Sequence, residues 1–272
     1  MRKEDFCLKL IEYTNQAMLY ELFTSPSFGL ISPYTNGSHT DMNAKTFIDS
    51  ISVINGYMFK FAKLGFSEIP IDTMYEEAVR IGKDCEQAMF QKTNGVNTHK
   101  GLIFVLGTLV ISVAKAYYDQ LSFDSIFINA KTLIRDKLTE LHHIDHSKEL
   151  TSGEKAYLSY NIGGVREEAY RGFPTIKQAL NVLCSNDSNS FVRTLIYIMS
   201  RCDDTTIINR AGLETLTRVK EEMSTLYKEG YDKSRLYDLE HDYIEKGISP
   251  GGSADLLCGT LFLSLIKTEF FT

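Results

Sequence analysis

Between Leu102 and Ala116 the chain carries one charge, Lys115, and is otherwise built of aliphatic, small and hydroxyl residues and one aromatic, Phe104. The run is short of the ~20 residues that a membrane-spanning helix needs. A helix apolar on all sides has to be covered on all sides, so the stretch predicts a central helix wrapped by others. Directly before it stands T-N-G-V-N-T-H-K-G, residues 93 to 101. Packing gives no reason for Asn97, Thr98, His99 and Lys100 to crowd the entrance of so hydrophobic a helix. A first helical turn leaves N–H groups unpaired and carries the positive end of the helix dipole, which together attract phosphate. Lys100 adds a cation there. The plainer alternative makes Asn97 or Thr98 a cap and leaves Gly95 and Gly101 to a turn.

The remaining chain of 272 residues supplies the wrapping, and we expect one all-α globular domain over 1–272. Helical spacing predicts an opening helix from Phe6 to Phe23, with Glu21 at its end beside a loop. The loop 24–42 is broken by Pro26, Gly29, Pro33 and Gly37 and carries His39 and Asp41. Loops of this length tend to be functional. Asp41 or Asn43 is expected to cap the next helix, which stops at Gly65. Asp72 is expected to cap a helix reaching Lys92. A helix from Ser122 to about Leu141 leads to His142, His143, Asp145 and His146, whose spacing suits a solvated helix end better than a metal site.

Thr151 and Glu154 have the spacing of a capping box. Gly163 and Gly164 then lead into Arg166, Glu167 and Glu168, a plausible phosphate cradle or a simple turn. Asp203 and Asp204 separate two helical patterns, with Arg210 in the second. Adjacent aspartates suit a cap, or Mg2+ beside a nucleotide. Amphipathic helices are expected over Leu213 to Glu229 and Lys233 to Lys246. Finally Ser249, Pro250, Gly251, Gly252, Ser253, Ala254 and Asp255 open an apolar C-terminal helix. No sustained period-2 alternation is present, so strands are not expected. If these helix ends converge they form one cleft lined by His39, Asp41, His99, Lys100, Arg166, Asp204, Arg210 and Asp255. It would hold a nucleotide without a Walker or Rossmann motif.

The net charge of −6 argues against a nucleic-acid partner. Neither the apolar run nor the N-terminus predicts a membrane segment. Five cysteines without a C-x-x-C pair fit a reducing, cytoplasmic setting.

Four stretches, G-V-N-T-H-K-G at 95–101, R-x-E-A-x-x-G-F-P at 166–174, Asp204-Thr205 with Arg210 and Gly212, and S-P-G-G-S-A-D-L-L at 249–257, resemble the triphosphoribosyl-dephospho-CoA synthase family in order. The resemblance implies an all-helical transferase that joins ATP to 3'-dephospho-CoA and releases adenine. It also implies that the product passes to the acyl-carrier system of citrate lyase or malonate decarboxylase. One loop departs from the pattern. Where the family has T-P-K-P-G-L-V-D, this chain has Ser27, Phe28 and Ser32 in place of a lysine, a proline and an acid.

Breaking an N-glycosidic bond builds oxocarbenium character on the ribose and negative charge on the base, so carboxylates and a proton donor are needed. Asp41, Asp204 and Asp255 are the candidate carboxylates, and His39 or His99 the candidate acid or base. Lys100, Arg166 and Arg210, with Asn97, Thr98, Gly251, Gly252 and Ser253, are expected to hold the nucleotide. Mg2+ would accompany the ATP, shared with Asp204. The changed loop leaves room for a paralogue transferring a different nucleotide-derived group, or for a nucleotide-binding regulator without turnover.

Overall fold

The computed structural model describes residues 1–135 and 150–271, and in it every regular element is helical. The cluster His142, His143, Asp145 and His146 lies outside the described residues. Thirteen α-helices are present among the described residues. They are α1 (Lys3–Leu22), α2 (Ala44–Gly65), α3 (Tyr75–Lys92), α4 (Lys100–Tyr118), α5 (Ser125–Ile134), α6 (Ser152–Tyr160) and α7 (Gly164–Tyr170). After these come α8 (Pro174–Ala179), α9 (Ser188–Met199), α10 (Thr205–Ala211), α11 (Leu213–Glu229), α12 (Lys233–Glu245) and α13 (Gly251–Phe270).

The apolar run forms α4, whose residues are buried almost without a break from Leu102 to Ala116. It is long and apolar enough to cross a membrane, yet 78% of its apolar window is covered by the rest of the fold. Helices α2, α3, α5 and α13 surround it, and α1 packs in turn on α2 and α13. Close approach needs small residues at the crossings. A Cβ on Gly65 would lie 2.4 Å from the Ile111 carbonyl oxygen, and one on Gly107 would lie 2.9 Å from the Phe61 ring. At the other end Phe6 stacks on Tyr117 at 4.2 Å and meets Phe270 at 5.0 Å, joining α1, α4 and α13. A second layer of α9, α11 and α10 closes over the far side of α13.

Most helix ends follow local chemistry. Asn43 caps α2 in a capping box with Thr46, and Thr151 and Glu154 form the expected box at the start of α6. Asp72 does not cap: it sits in a 3-10 turn, Ile71–Thr73, and α3 begins at Tyr75. The loop 24–42 lies close against the segment before α13, where the Ser38 hydroxyl donates to the Ile248 carbonyl at 2.5 Å. Gly29, at φ +89°, permits this, since a Cβ there would come within 2.2 Å of the Ile248 carbonyl oxygen.

Candidate active site

The start of α4, the start of α13, the end of α1 and the loop 24–42 enclose a cleft of about 290 Å3. Asn97, Thr98, His99, Lys100 and Gly101 form one wall, and Ser249, Gly251, Gly252, Ala254 and Asp255 form the facing one. His39, Glu21, Arg166 and Thr205 complete the lining. Segments separated by more than half the chain therefore meet at helix ends.

Asn97 accepts a hydrogen bond from the Lys100 amide at 3.2 Å, which seats the first turn of α4. The Lys100 ammonium reaches Glu86 at 3.3 Å across the cleft edge, so it is a held cation and not a free one. Behind this turn Thr98 donates to Ser50 at 2.8 Å, and the Ser50 hydroxyl lies 2.7 Å from His99 Nδ1. With Thr98 donating to Ser50, the Ser50 hydrogen goes to Nδ1 and the imidazole hydrogen rests on Nε2, which has no partner among the described residues. Burial drives the His99 pKa down to about 3. His99 is thus neutral at physiological pH and buried, a position that does not suit the acid or base role expected of it.

His39 also lines the cleft, with Nε2 2.9 Å from the Ser249 hydroxyl. Burial first, then the Arg210 charge, lowers its pKa, against an opposing pull from Asp41. Asp41 itself points outward: its side chain is 60% exposed, stands 3.9 Å from His39 Nδ1, and lies outside the lining. A direct catalytic role for Asp41 does not fit that position.

Asp204 is the largest departure from expectation. Its side chain is buried behind the α13 wall and its two oxygens are saturated. Oδ1 accepts from the amides of Thr206, Ile207 and Gly252, and Oδ2 from the Ser253 amide at 2.7 Å and the Ser253 hydroxyl at 2.9 Å. One carboxylate therefore caps α10 and fixes the first turn of α13 together. Gly252 leaves it room, since a Cβ there would meet the carboxylate at 3.2 Å. With all lone pairs engaged Asp204 does not fit a Mg2+ ligand, and among the described residues no group of three acidic, His or Cys side chains is arranged for a metal. Ser253 likewise faces Asp204 and not the cleft.

Arg210 is a clamp. Its guanidinium donates to the carbonyl of Gly247 at 3.0 Å and to that of Ser38, tying the loop to the α13 approach, and it does not line the cleft. The three altered loop positions also face away. Ser27 donates through its amide (2.6 Å) and hydroxyl (2.9 Å) to Glu240, Phe28 is buried against Tyr243, and the Ser32 hydroxyl accepts from Tyr34 and Thr35. Leu30 and Ile31, which lie among the altered positions, reach the cleft, as do His39 and Met42 further along the loop.

Glu21 was not among the candidate site residues. It lies on the buried stripe Leu10, Thr14, Ala17, Glu21 of α1, and an acid in that register was the available signal. Burial pushes its pKa up to about 8. Asp255 is raised too, by burial and then by the charges of Asp204 and Glu21. The Glu21 shift has a sign that can be tested. A carboxyl near 8 when folded and near 4.5 when unfolded keeps its proton in the folded state, so stability should fall as pH rises from about 4.5 to 8. The expected loss is on the order of a few kcal/mol, read as a falling melting temperature over that window, and Glu21→Gln should flatten the fall.

Comparison with known proteins agrees with this architecture. Residues 7–270 match the profile of a family described as ATP:dephospho-CoA triphosphoribosyl transferase. A protein from Streptococcus equi subsp. equi, named as a probable 2-(5''-triphosphoribosyl)-3'-dephosphocoenzyme-A synthase, is 33% identical over 93% of this chain and 95% of its own length. A protein of the same name from Malonomonas rubra is 35% identical over 94% of this chain and 87% of its own. Protein CitXG from Leuconostoc mesenteroides subsp. cremoris is 35% identical over 91% of this chain, which spans only 56% of that longer protein. In the crystal structure of an Archaeoglobus fulgidus protein described as a triphosphoribosyl-dephospho-coA synthase the same fold recurs, with TM-score 0.51 at 17% identity over 81% of this chain and 98% of the other. With nearly its whole length matched, the chain belongs to the ATP:dephospho-CoA triphosphoribosyl transferase family.

Proposed function

We propose that the cleft is where ATP and 3'-dephospho-CoA meet, with the ATP triphosphate at the first turn of α4. The family's reaction joins the two substrates into 2'-(5''-triphosphoribosyl)-3'-dephospho-CoA and releases adenine. The observation that carries the placement is the convergence of the α4 and α13 first turns on one cleft, with Lys100 and Arg166 beside them. Free amides at a long helix N-terminus and two cations suit a triphosphate. Thr98 and the neutral, buried His99, both held by Ser50, brace the first turn of α4 from behind. Asp204 acts through others, holding the amides of residues 252 and 253 and so placing Asp255.

Magnesium enters this reading as the triphosphate's counter-ion, neutralising charge that Lys100 and Arg166 meet only in part. A cytoplasmic setting, with ATP at hand and thiols reduced, is the one the reading requires. Delivery of the product to an acyl-carrier protein of a citrate lyase or malonate decarboxylase system is its downstream counterpart.

The test is adenine release from ATP and Mg2+ with and without 3'-dephospho-CoA. Release that depends on the acceptor and matches product one to one is expected; ATP binding with no adenine formed overturns the reading. Lys100→Ala should raise the KM for ATP by about tenfold or more, since a charge-assisted phosphate contact is lost. The melting temperature should barely move, because a half-exposed pair such as Lys100–Glu86 contributes ~1 kcal/mol or less.

A further inference from the structure

Glu21 has no evident structural employment. It is buried, at 8% exposure, and among the described residues its carboxyl makes neither a hydrogen bond nor an ion pair. An unpartnered carboxyl in such a place costs stability, and α1 would pack as well with an amide or an aliphatic residue there. It nevertheless lines the cleft together with Asp255, whose carboxyl also lacks a hydrogen-bond partner among the described residues. Gly101 opens the space for that second carboxyl: a Cβ at position 101 would lie 2.1 Å from Asp255 Oδ2. Two carboxyls from different helices thus share one pocket wall with the phosphate-binding turn, close enough for the charge on one to act on the other.

We propose that Glu21 is a catalytic residue: with one proton held between the two carboxyls in the substrate-bound enzyme, ionised Glu21 takes the proton of the acceptor 2' hydroxyl while protonated Asp255 gives its proton to the departing adenine. This rests on the proposed function. In the step the C1'–N9 bond of ATP breaks with its electron pair on adenine, and the 2' oxygen of dephospho-CoA bonds to C1'. The hydroxyl proton goes to Glu21, adenine takes one from Asp255, and transfer between the two carboxyls restores the starting state. No proton is gained or lost overall. Two carboxyls dividing acid and base work across a glycosidic bond is the arrangement such chemistry demands.

The experiment compares wild type, Glu21→Gln and Glu21→Ala for adenine release, ATP titration and melting temperature. Glu21→Gln, which keeps the shape, should lose about 100-fold or more in kcat with ATP affinity within about threefold of wild type. It should melt no lower than wild type, because a buried unpaired acid has been removed. Glu21→Ala should be as inactive but regain at least about tenfold on adding formate, a small carboxylate that fits the vacated space; Glu21→Gln should not. A Glu21→Gln enzyme within about fivefold of wild type overturns the proposal. So does a folded, ATP-binding Glu21→Ala enzyme indifferent to formate. A wild type that releases no adenine would instead remove the functional reading beneath it.

Discussion

Asp204→Ala should abolish turnover, lowering it by roughly 1000-fold or more, and should also destabilise the protein by about 3 kcal/mol or more. Removing the carboxylate strands the amides of Gly252 and Ser253 and the Ser253 hydroxyl inside the protein, and uncaps α10 at the same stroke. Each buried donor left without a partner costs roughly 1 to 3 kcal/mol, partly offset by no longer burying a charge. The first turn of α13 then loses its seat and carries Asp255 with it. Asp204→Asn separates the two effects. Its single oxygen can serve Gly252, Thr206 and Ile207, while its NH2 opposes the Ser253 amide, so stability should be intermediate and turnover still poor. Denaturant melts and adenine assays on both variants decide it. An Asp204→Ala protein that is stable but has lost only Mg2+ dependence would restore the metal-ligand role that the hydrogen bonding rules against.

Gly101→Ala should be nearly silent in stability and severe in activity. Alanine is preferred over glycine inside a helix by ~1 kcal/mol, so α4 gains what its crowded first turn loses. The added methyl, however, falls 2.1 Å from Asp255 Oδ2, and the carboxylate has to rotate away from the cleft. Turnover should drop about 100-fold or more, with melting within a few degrees of wild type and the Kd for ATP little changed. Activity within threefold of wild type would mean that the position of Asp255 does not matter to the reaction.

How far the sequence could be read differs between fold and site for a physical reason. Helix α11 was legible over its full span, Leu213–Glu229, because a 3.6-residue apolar period and a terminal glycine are local signals. The capping box of Thr151 and Glu154 is equally local. Asp203 and Asp204 show what is not. Adjacent in sequence and identical in chemistry, they part completely in the fold: Asp203 pairs at the surface with Lys220 at 2.6 Å, while Asp204 disappears under α13. Only the docking of a helix that starts some 45 residues later distinguishes them. Arg210 belongs to the same class, since a cation near a phosphate motif looks the same whether its donors face a ligand or two loop carbonyls. The altered loop misled in the opposite direction: Ser27 and Ser32 look like lost site charges, yet Ser27 bonds to Glu240 of α12 and Ser32 to the loop's own amides. Glu21 was readable in principle, as an acid in the register of an apolar stripe, yet its value depends on Asp255 on the far side of the chain.

The pairing of α1 with α13 also bears on how the protein is made. The apolar stripe of the first helix, from Phe6 to Leu22, is covered in part by α2, which follows soon after, and in part by α13, which the ribosome delivers only after more than 200 further residues. Long-range closure of this kind is slow, and until it happens the stripe is open to chaperones or to a neighbouring nascent chain. The same delay is protective, because Asp255 and the α13 wall arrive with the closing helix. Under the proposed mechanism a half-made chain lacks the second carboxyl, so adenine release would begin only once α13 has been made.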